Sequence, residues 1–324
     1  MSSFVAFTRP REAPELLERE VPACRPGEVL VRVEACGLGA ADFGFFQLDA
    51  LPRVPLIPGL EAVGVVEATG GGVGVAVGTR VGVVPLASTC GGCDLCGRGL
   101  ERWCAKAELH AWHRDGFLSE HLVTTESALI PLTQSDDPTR FAPLFATGWT
   151  AFSAVRATGM GQGHRLGVVG VGGLGHLVVQ IARAAGFEVR AFDVDPARRA
   201  LAGESASPRA LEQDSVDAVI ICTPSTQAIQ QAVRSVKRGG TVVLAAASPS
   251  VRFDLSLFDT VMRGVMLAPA FLGTRSELQE LISLVRSGVV TPRTTTIGLG
   301  DVHSKFWMLR DGGFSGRLVV TPTT

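Results

Sequence analysis

Neither sign of charge dominates this chain. Its 324 residues hold 30 basic and 31 acidic side chains, a net charge of −1, and only 19% are charged at all. That leaves no electrostatic reason to expect nucleic acid or an anionic membrane as partner. No stretch of about 18 uncharged apolar residues occurs, so no transmembrane helix is expected. The opening MSSFVAFTRPREAPELLERE has no apolar core region and no cleavage pattern, so no secretory signal is read there. The expectation is a soluble, cytoplasmic protein. Cysteine is scarce, seven in all, and four of these fall between positions 90 and 104. That is the distribution of a metal site and not of a disulfide framework. The others, Cys24, Cys36 and Cys222, read as small core or loop residues.

What the chain does have is apolar content, 46%, and 38 glycines, in a length that suits about two domains. The first half reads as β. EVLVRVEA alternates in period two, and EAVGVVEAT and GTRVGVVPLA are Val-rich runs bounded by glycine and proline. Glycine-dense turns such as TGGGVGVAVG join them, as in a barrel or sandwich. From about residue 147 strand and helix alternate: WTAFSAVRATG helical, RLGVVGVG a strand, HLVVQIARAAG a helix, EVRAFDVD a strand. DPARRALAG, VDAVIICTP, QAIQQAVRSVKRGG and TVVLAAAS continue the alternation. Apolar strands alternating with helices imply a parallel, doubly wound α/β sheet. The stretch ESASPRALEQDS is short for a strand–helix unit, which suggests one abbreviated unit. ELQELISLVRSG and GRLVVTPTT then read as a closing helix and strand.

Gly170, Gly172 and Gly175 stand in a G-x-G-x-x-G frame, with Gly173 and Leu174 inside it, after a predicted strand and at the start of a predicted helix. In that context the motif reads as a dinucleotide site. The first glycine permits the tight turn, the second a close backbone approach to pyrophosphate, and the third close helix–strand packing. The helix N-terminus supplies N–H groups to the anion. Asp193 ends the second strand where an acid meets the adenosine ribose, which favours NAD(H) over NADP; Arg198 and Arg199 nearby would soften that preference. The competing reading of Asp193 is a solvated turn residue, a role that suits Asp195 better.

TCGGCDLCGRGLERWC places Cys90, Cys93, Cys96 and Cys104 in a C-x2-C-x2-C-x7-C pattern, within a lobe of about 88–106. Four thiolates on one loop close a tetrahedral shell around a single zinc, which stabilises a loop and leaves no open position for chemistry. Two disulfides or an iron–sulfur cluster are the alternatives.

A β-rich front, a four-cysteine lobe and a GVGGLGH nucleotide motif together resemble the medium-chain dehydrogenase/reductase superfamily, in its zinc alcohol dehydrogenase branch. PGLEAVGVVEATG, VGTRVGV, DGFLSEHLV, APLFATGWTAFSAV and GRLVV carry the likeness over nearly the whole chain. The resemblance implies a GroES-like substrate domain, 1–146 and 271–324, and a Rossmann domain, 147–270, with an active site in the cleft that joins them. It also implies pairing into a homodimer or homotetramer through the nucleotide domains, by way of the apolar VMRGVMLAPAFLG.

The resemblance breaks at the catalytic metal. The positions that hold zinc in that branch correspond to Gly39, Leu60 and Ala146, and the proton-passing hydroxyl and its neighbouring imidazole to Ala41 and Ala40. None offers a donor atom to a borderline metal. Asp42 and Glu61 of that neighbourhood survive, and a rebuilt metal site would have to add His110 or His113 to them. Glu61 is expected to act as acid or base, or else as a structural carboxylate bonded to an arginine or to backbone. Asp42 is expected to orient the site, and Thr150 to orient the nicotinamide ring. Trp112 and Trp149 line the substrate pocket or fill the core. Without a Lewis acid the expected reaction is hydride transfer to a small molecule that is already electrophilic: an enone, a quinone or an iminium ion. An alcohol or aldehyde dehydrogenase using side-chain donors, and a non-catalytic NAD(H)-binding sensor, are the competing readings.

Overall fold

The computed structural model describes residues 1–203, 205–248, 251–311, 314 and 316–322. The chain divides into two compact units, Met1–Ala146 with Thr294–Thr324, and Thr147–Arg293.

The first unit is built on a seven-stranded sheet. Its path runs Thr294–Gly298, Arg317–Thr321, Glu28–Leu38, Glu61–Thr69, Arg80–Val83, Leu129–Pro131, and His121–Thr125 also pairs with Glu28–Leu38. The long strand Glu28–Leu38 is central because its alternation buries Val29, Val31 and Val33 fully while Arg32 and Glu34 face outward. Two antiparallel registers along it set the site. Gly37 lies opposite Glu61, and Leu38 lies opposite Leu318. One step further along the second register brings Arg317 against Gly39. Residues two apart on a strand share a face, so Glu61 and Arg317 meet over Gly37 and Gly39.

The second unit is a six-stranded, all-parallel sheet in the order Ser205–Ala206, Glu188–Phe192, Arg165–Val169, Val216–Ile221, Val236–Leu244, Met266–Pro269. Its strands read as apolar runs because both faces are covered. Val169, Phe192, Val219, Ile221 and Val242 form the core with Ile229 and Val233 of the helix Thr226–Ser235. The abbreviated unit is the two-residue strand Ser205–Ala206, followed by a single 3-10 turn at Pro208–Ala210. The helix expected over QAIQQAVRSVKRGG ends at Ser235, and Val236 already starts the next strand.

Residues 271–293 depart from the expected domain assignment. They lie in the second unit, because the helix Arg275–Arg286 packs on the helix Thr147–Arg156. Trp149 Nε1 donates to the Thr274 carbonyl at 2.8 Å, and Arg156 pairs with Glu280 at 2.8 Å. Trp149 is therefore a core residue, 1% exposed, whereas Trp112 is 44% exposed. Among the described residues no helix is long and apolar enough to cross a membrane.

Candidate functional site

The glycine loop joins the strand Arg165–Val169 to the helix Gly175–Ala184. Gly170 has φ of +90°, a conformation that side chains resist, and a Cβ at Gly175 would lie 1.8 Å from the Gly170 carbonyl oxygen. Both positions require glycine. A Cβ at Gly172 would meet nothing within 4 Å, so the second glycine borders open space where a ligand can approach. Gly173 and Leu174 complete the loop, with Leu174 capping the helix start. Asp193 is buried at the end of its strand. Its carboxylate accepts from Val171 N–H at 2.7 Å and from Asp195 N–H at 2.9 Å, which ties the loop to the neighbouring strand. Asp195 caps the short helix Pro196–Arg199 through Ala197 N–H. Arg198 makes only a loose, half-exposed pair with Asp195 at 3.6 Å. These features fit a dinucleotide: the open second glycine, the bare helix start, and a carboxylate with lone pairs beyond the two engaged by backbone.

One residue in the first turn of the helix Gly175–Ala184 escaped the sequence reading. His176 is fully buried, with Nδ1 3.0 Å from the Gly172 carbonyl. Arg293 N–H donates to its Nε2 at 3.1 Å. Because a backbone N–H can only donate, Nε2 is the acceptor and Nδ1 carries the hydrogen. Thr150 Oγ1 accepts from Leu272 N–H at 3.1 Å.

The four cysteines converge. Cys93 and Cys96 lie 3.5 Å apart, Cys104 and Cys90 3.5 Å, Cys90 and Cys96 3.9 Å, all four sulfurs being within 4.8 Å of one another. A tetrahedral zinc with Zn–S bonds of about 2.3 Å requires sulfurs about 3.8 Å apart, so the set fits one closed zinc shell. The spacing is far beyond a disulfide bond, and all seven cysteines are free. The Cys90 thiol is lowered to about 6, first by the Gly92 N–H and then by the Cys104 thiol. Lys106 N–H donates to Cys104 Sγ at 3.4 Å.

In the first unit a second group of polar side chains assembles around the strand registers. Glu61 is 1% exposed; its carboxylate accepts from the Arg317 guanidinium and from Ala146 N–H, the latter at 3.0 Å. Glu61 is thus bonded to an arginine and to backbone. Asp42 accepts from Gly39 N–H at 2.8 Å and Gly59 N–H at 3.0 Å, pinning two loops together. Burial raises its carboxyl to about 6, although Arg317 and the two N–H groups pull the other way. The side chains of Gly39, Leu60 and Ala146 hold no metal-donor atom, and Ala40 and Ala41 are exposed methyls. Neither histidine is available to repair the set. His110 is buried between the Asp115 carbonyl at 2.6 Å and Thr124 Oγ1 at 2.8 Å, and burial holds it neutral with its value lowered to about 4. His113 Nδ1 accepts from Leu109 N–H at 3.0 Å. Among the described residues, the four cysteines are the sole cluster of three or more metal-ligating side chains. Arg317 was missed in the sequence because its partner is 256 residues away.

A β-rich unit with a thiolate metal shell and a dinucleotide-type sheet together define a two-part dehydrogenase. Two family models match accordingly: the alcohol dehydrogenase GroES-like domain over residues 25–134, and the zinc-binding dehydrogenase over residues 173–287. An alcohol dehydrogenase of Geobacillus stearothermophilus is 33% identical, with 96% of each chain covered. One of Moraxella sp. is 31% identical, over 95% of this chain and 96% of its own. The structure of a thermostable alcohol dehydrogenase from Pyrobaculum aerophilum, with cobalt and zinc bound, is similar at 26% identity, TM-score 0.90 and 99% coverage of both chains. The chain belongs to the medium-chain dehydrogenase/reductase superfamily, in its zinc alcohol dehydrogenase branch, and is an oxidoreductase of that type.

Proposed function

We propose that this oxidoreductase uses NAD(H), works without a catalytic metal, and passes hydride to an acceptor that is already electrophilic: a conjugated enone, a quinone or an iminium ion. The observation that carries this reading is the donor chemistry at Gly39, Leu60 and Ala146. Three side chains without a single lone pair do not fit a catalytic zinc. Simple carbonyls rely on a Lewis acid for several kcal/mol of polarisation; conjugated or cationic acceptors do not.

When bound, the dihydronicotinamide supplies the hydride. The glycine loop and the start of the helix Gly175–Ala184 receive the pyrophosphate, and Asp193 receives the ribose hydroxyls. The negative charge of Asp193 disfavours a 2′-phosphate, which supports NAD(H) over NADP. Arg198, half-exposed and paired with Asp195, is placed to weaken that preference. Thr150 is assigned to orienting the ring. In an enone or quinone the electrophilic end takes the hydride and the other end of the conjugated system takes a proton; an iminium carbon takes the hydride and its nitrogen keeps the released electron pair, with no proton needed. Asp42, its carboxyl raised by burial to about 6, is assigned to handling the proton, and Glu61 serves as partner to Arg317. The cysteine shell holds one structural zinc and takes no part in the chemistry. The free thiols suit the cytoplasm.

The test is NADH consumption at saturating coenzyme over a panel of enones, quinones and cyclic imines, with ethanol plus NAD as the opposing arm. Turnover on the panel and none on ethanol is expected. Rapid alcohol oxidation, in keeping with the names of the curated relatives, would replace this reading with ordinary dehydrogenase chemistry. Tight NADH binding with no acceptor would replace it with a sensor.

A further inference from the structure

We infer that Trp112, with Phe45 behind it, is the wall against which the acceptor's ring stacks, and that the acceptor is a flat, neutral quinone. The inference rests on the metal-free reading above and deepens it by choosing among its acceptor classes.

Three observations converge, all within the first unit. First, the aromatic pair adjoins the positions without metal donors. The helix Ala40–Gly44 runs on into the 3-10 turn Phe45–Gln47, so Phe45 stands one turn beyond the exposed methyl of Ala41. The Trp112 ring lies against Phe45, with centroids 6.1 Å apart and planes 36° from parallel. Phe45 is buried by this contact, whereas Trp112 is 44% exposed and keeps indole surface for a ligand. Second, Trp112 is held in place and not left loose. The residue before it, Ala111, is fully buried at φ of +61°, a left-handed conformation that side chains resist. Hydrogen bonds impose it. The Leu109 carbonyl accepts from the N–H groups of Trp112, His113 and Arg114, His113 Nδ1 accepts from Leu109 N–H, and His110 is bonded through both ring nitrogens. A solvated tryptophan needs no strained, over-determined support; a binding wall does. Third, charge and proton demand select the class. Arg53, which reaches the His113 carbonyl, pairs with Asp115, and Arg114 pairs with Glu28 and Glu108. The charges flanking Trp112 are thus matched, and a cationic acceptor gains no partner from them. The exposed methyls of Ala40 and Ala41 relay no proton.

A quinone asks least of such a surface. The C4–H bond of the dihydronicotinamide breaks, the quinone gains the hydride, and NAD+ is left. The resulting hydroquinonate takes one proton, ultimately from water, to give hydroquinone. A phenolic oxygen has a pKa of about 10 against about 15.7 for water, so this anion forms far more readily than the alkoxide of a simple carbonyl. Trp112 is therefore a specificity-determining residue. It sets which acceptor binds and takes no part in the bond changes.

The test is steady-state kinetics on the full chain at saturating NADH, for the parent, Trp112→Ala and Trp112→Phe. The acceptors are 2-cyclohexenone, 1-pyrroline and tetramethyl-1,4-benzoquinone, whose substituted ring leaves no open position to the free thiols of the chain. In the parent, kcat/KM for the quinone should exceed that for either other acceptor by at least about tenfold. Trp112→Ala should raise KM for the quinone about tenfold with kcat within a factor of about two, and Trp112→Phe should restore KM to within about threefold of the parent. An unchanged KM in Trp112→Ala, or a loss of kcat shared by all three acceptors, overturns the wall. A parent that prefers cyclohexenone or pyrroline overturns the quinone assignment and leaves the metal-free reading standing. Ethanol oxidation with no turnover of any of the three overturns that reading instead, so the failures are distinguishable.

Discussion

At the scale of single residues, the site is a problem of buried charge. Asp42 is 4% exposed and its carboxyl is raised from 3.8 to about 6. Between those values the folded protein holds a proton that the unfolded chain has released. The contribution of Asp42 to stability is therefore full below pH about 4 and lost as pH rises through about 6, an effect of about 3 kcal/mol. An Asp42→Asn variant carries no such titration. Its unfolding free energy relative to the parent should improve by about that amount between pH 4 and pH 7, read from urea curves at the two values. A difference that does not change with pH contradicts the burial argument. Arg317 lowers the same carboxyl, so Arg317→Gln should move the Asp42 midpoint, followed by carboxyl NMR, upward from about 6.

At the scale of elements, what was legible in the sequence is what is local. The frame of Gly170, Gly172 and Gly175 lies within six residues, and the four cysteines within 15; each motif carries its own geometry. Arg317 was illegible because a strand register, not a spacing, brings it to Gly39 and Glu61. The helix Arg275–Arg286 was recognised from its periodicity, but periodicity says nothing of which sheet a helix covers; its contact with Thr147–Arg156 decides that. His176 was hidden for a related reason, since the backbone of Arg293 that it supports is 117 residues distant. Replacing His176 with Ala leaves that N–H without its acceptor and removes one of the two hydrogen bonds to the Gly172 carbonyl. The expected result is NADH affinity weaker by about tenfold with the turnover rate at saturation unchanged, measured as Kd by fluorescence and as kcat. An unaltered Kd contradicts a positioning role. The cysteine lobe is separable from this loop. Cys96→Ser should remove the bound zinc and lower Tm by several degrees while leaving the Kd for NADH within a factor of about two.

At the scale of the whole molecule, the second unit ends its sheet on an open, apolar edge. Met266–Pro269 is the terminal strand, with Met266 57% exposed, and Phe258 and Val261 nearby are each at least 70% exposed. An edge with unpaired backbone groups and apolar side chains invites another strand. We propose that a second copy of this chain covers it, giving a particle of twice the 34.0 kDa chain or a multiple of that in light scattering. Val261→Glu with Met266→Lys should return it to 34.0 kDa. A parent that is monomeric at micromolar concentration contradicts this pairing. Which reaction the enzyme performs turns on its metal count. The most direct measurement is elemental zinc on the parent chain, purified without chelator and supplied with excess zinc before desalting. The expected value is one per chain, falling to none in Cys96→Ser. A value of two in the parent, with one remaining in Cys96→Ser, would return a Lewis acid to the site and with it plain alcohol–carbonyl interconversion.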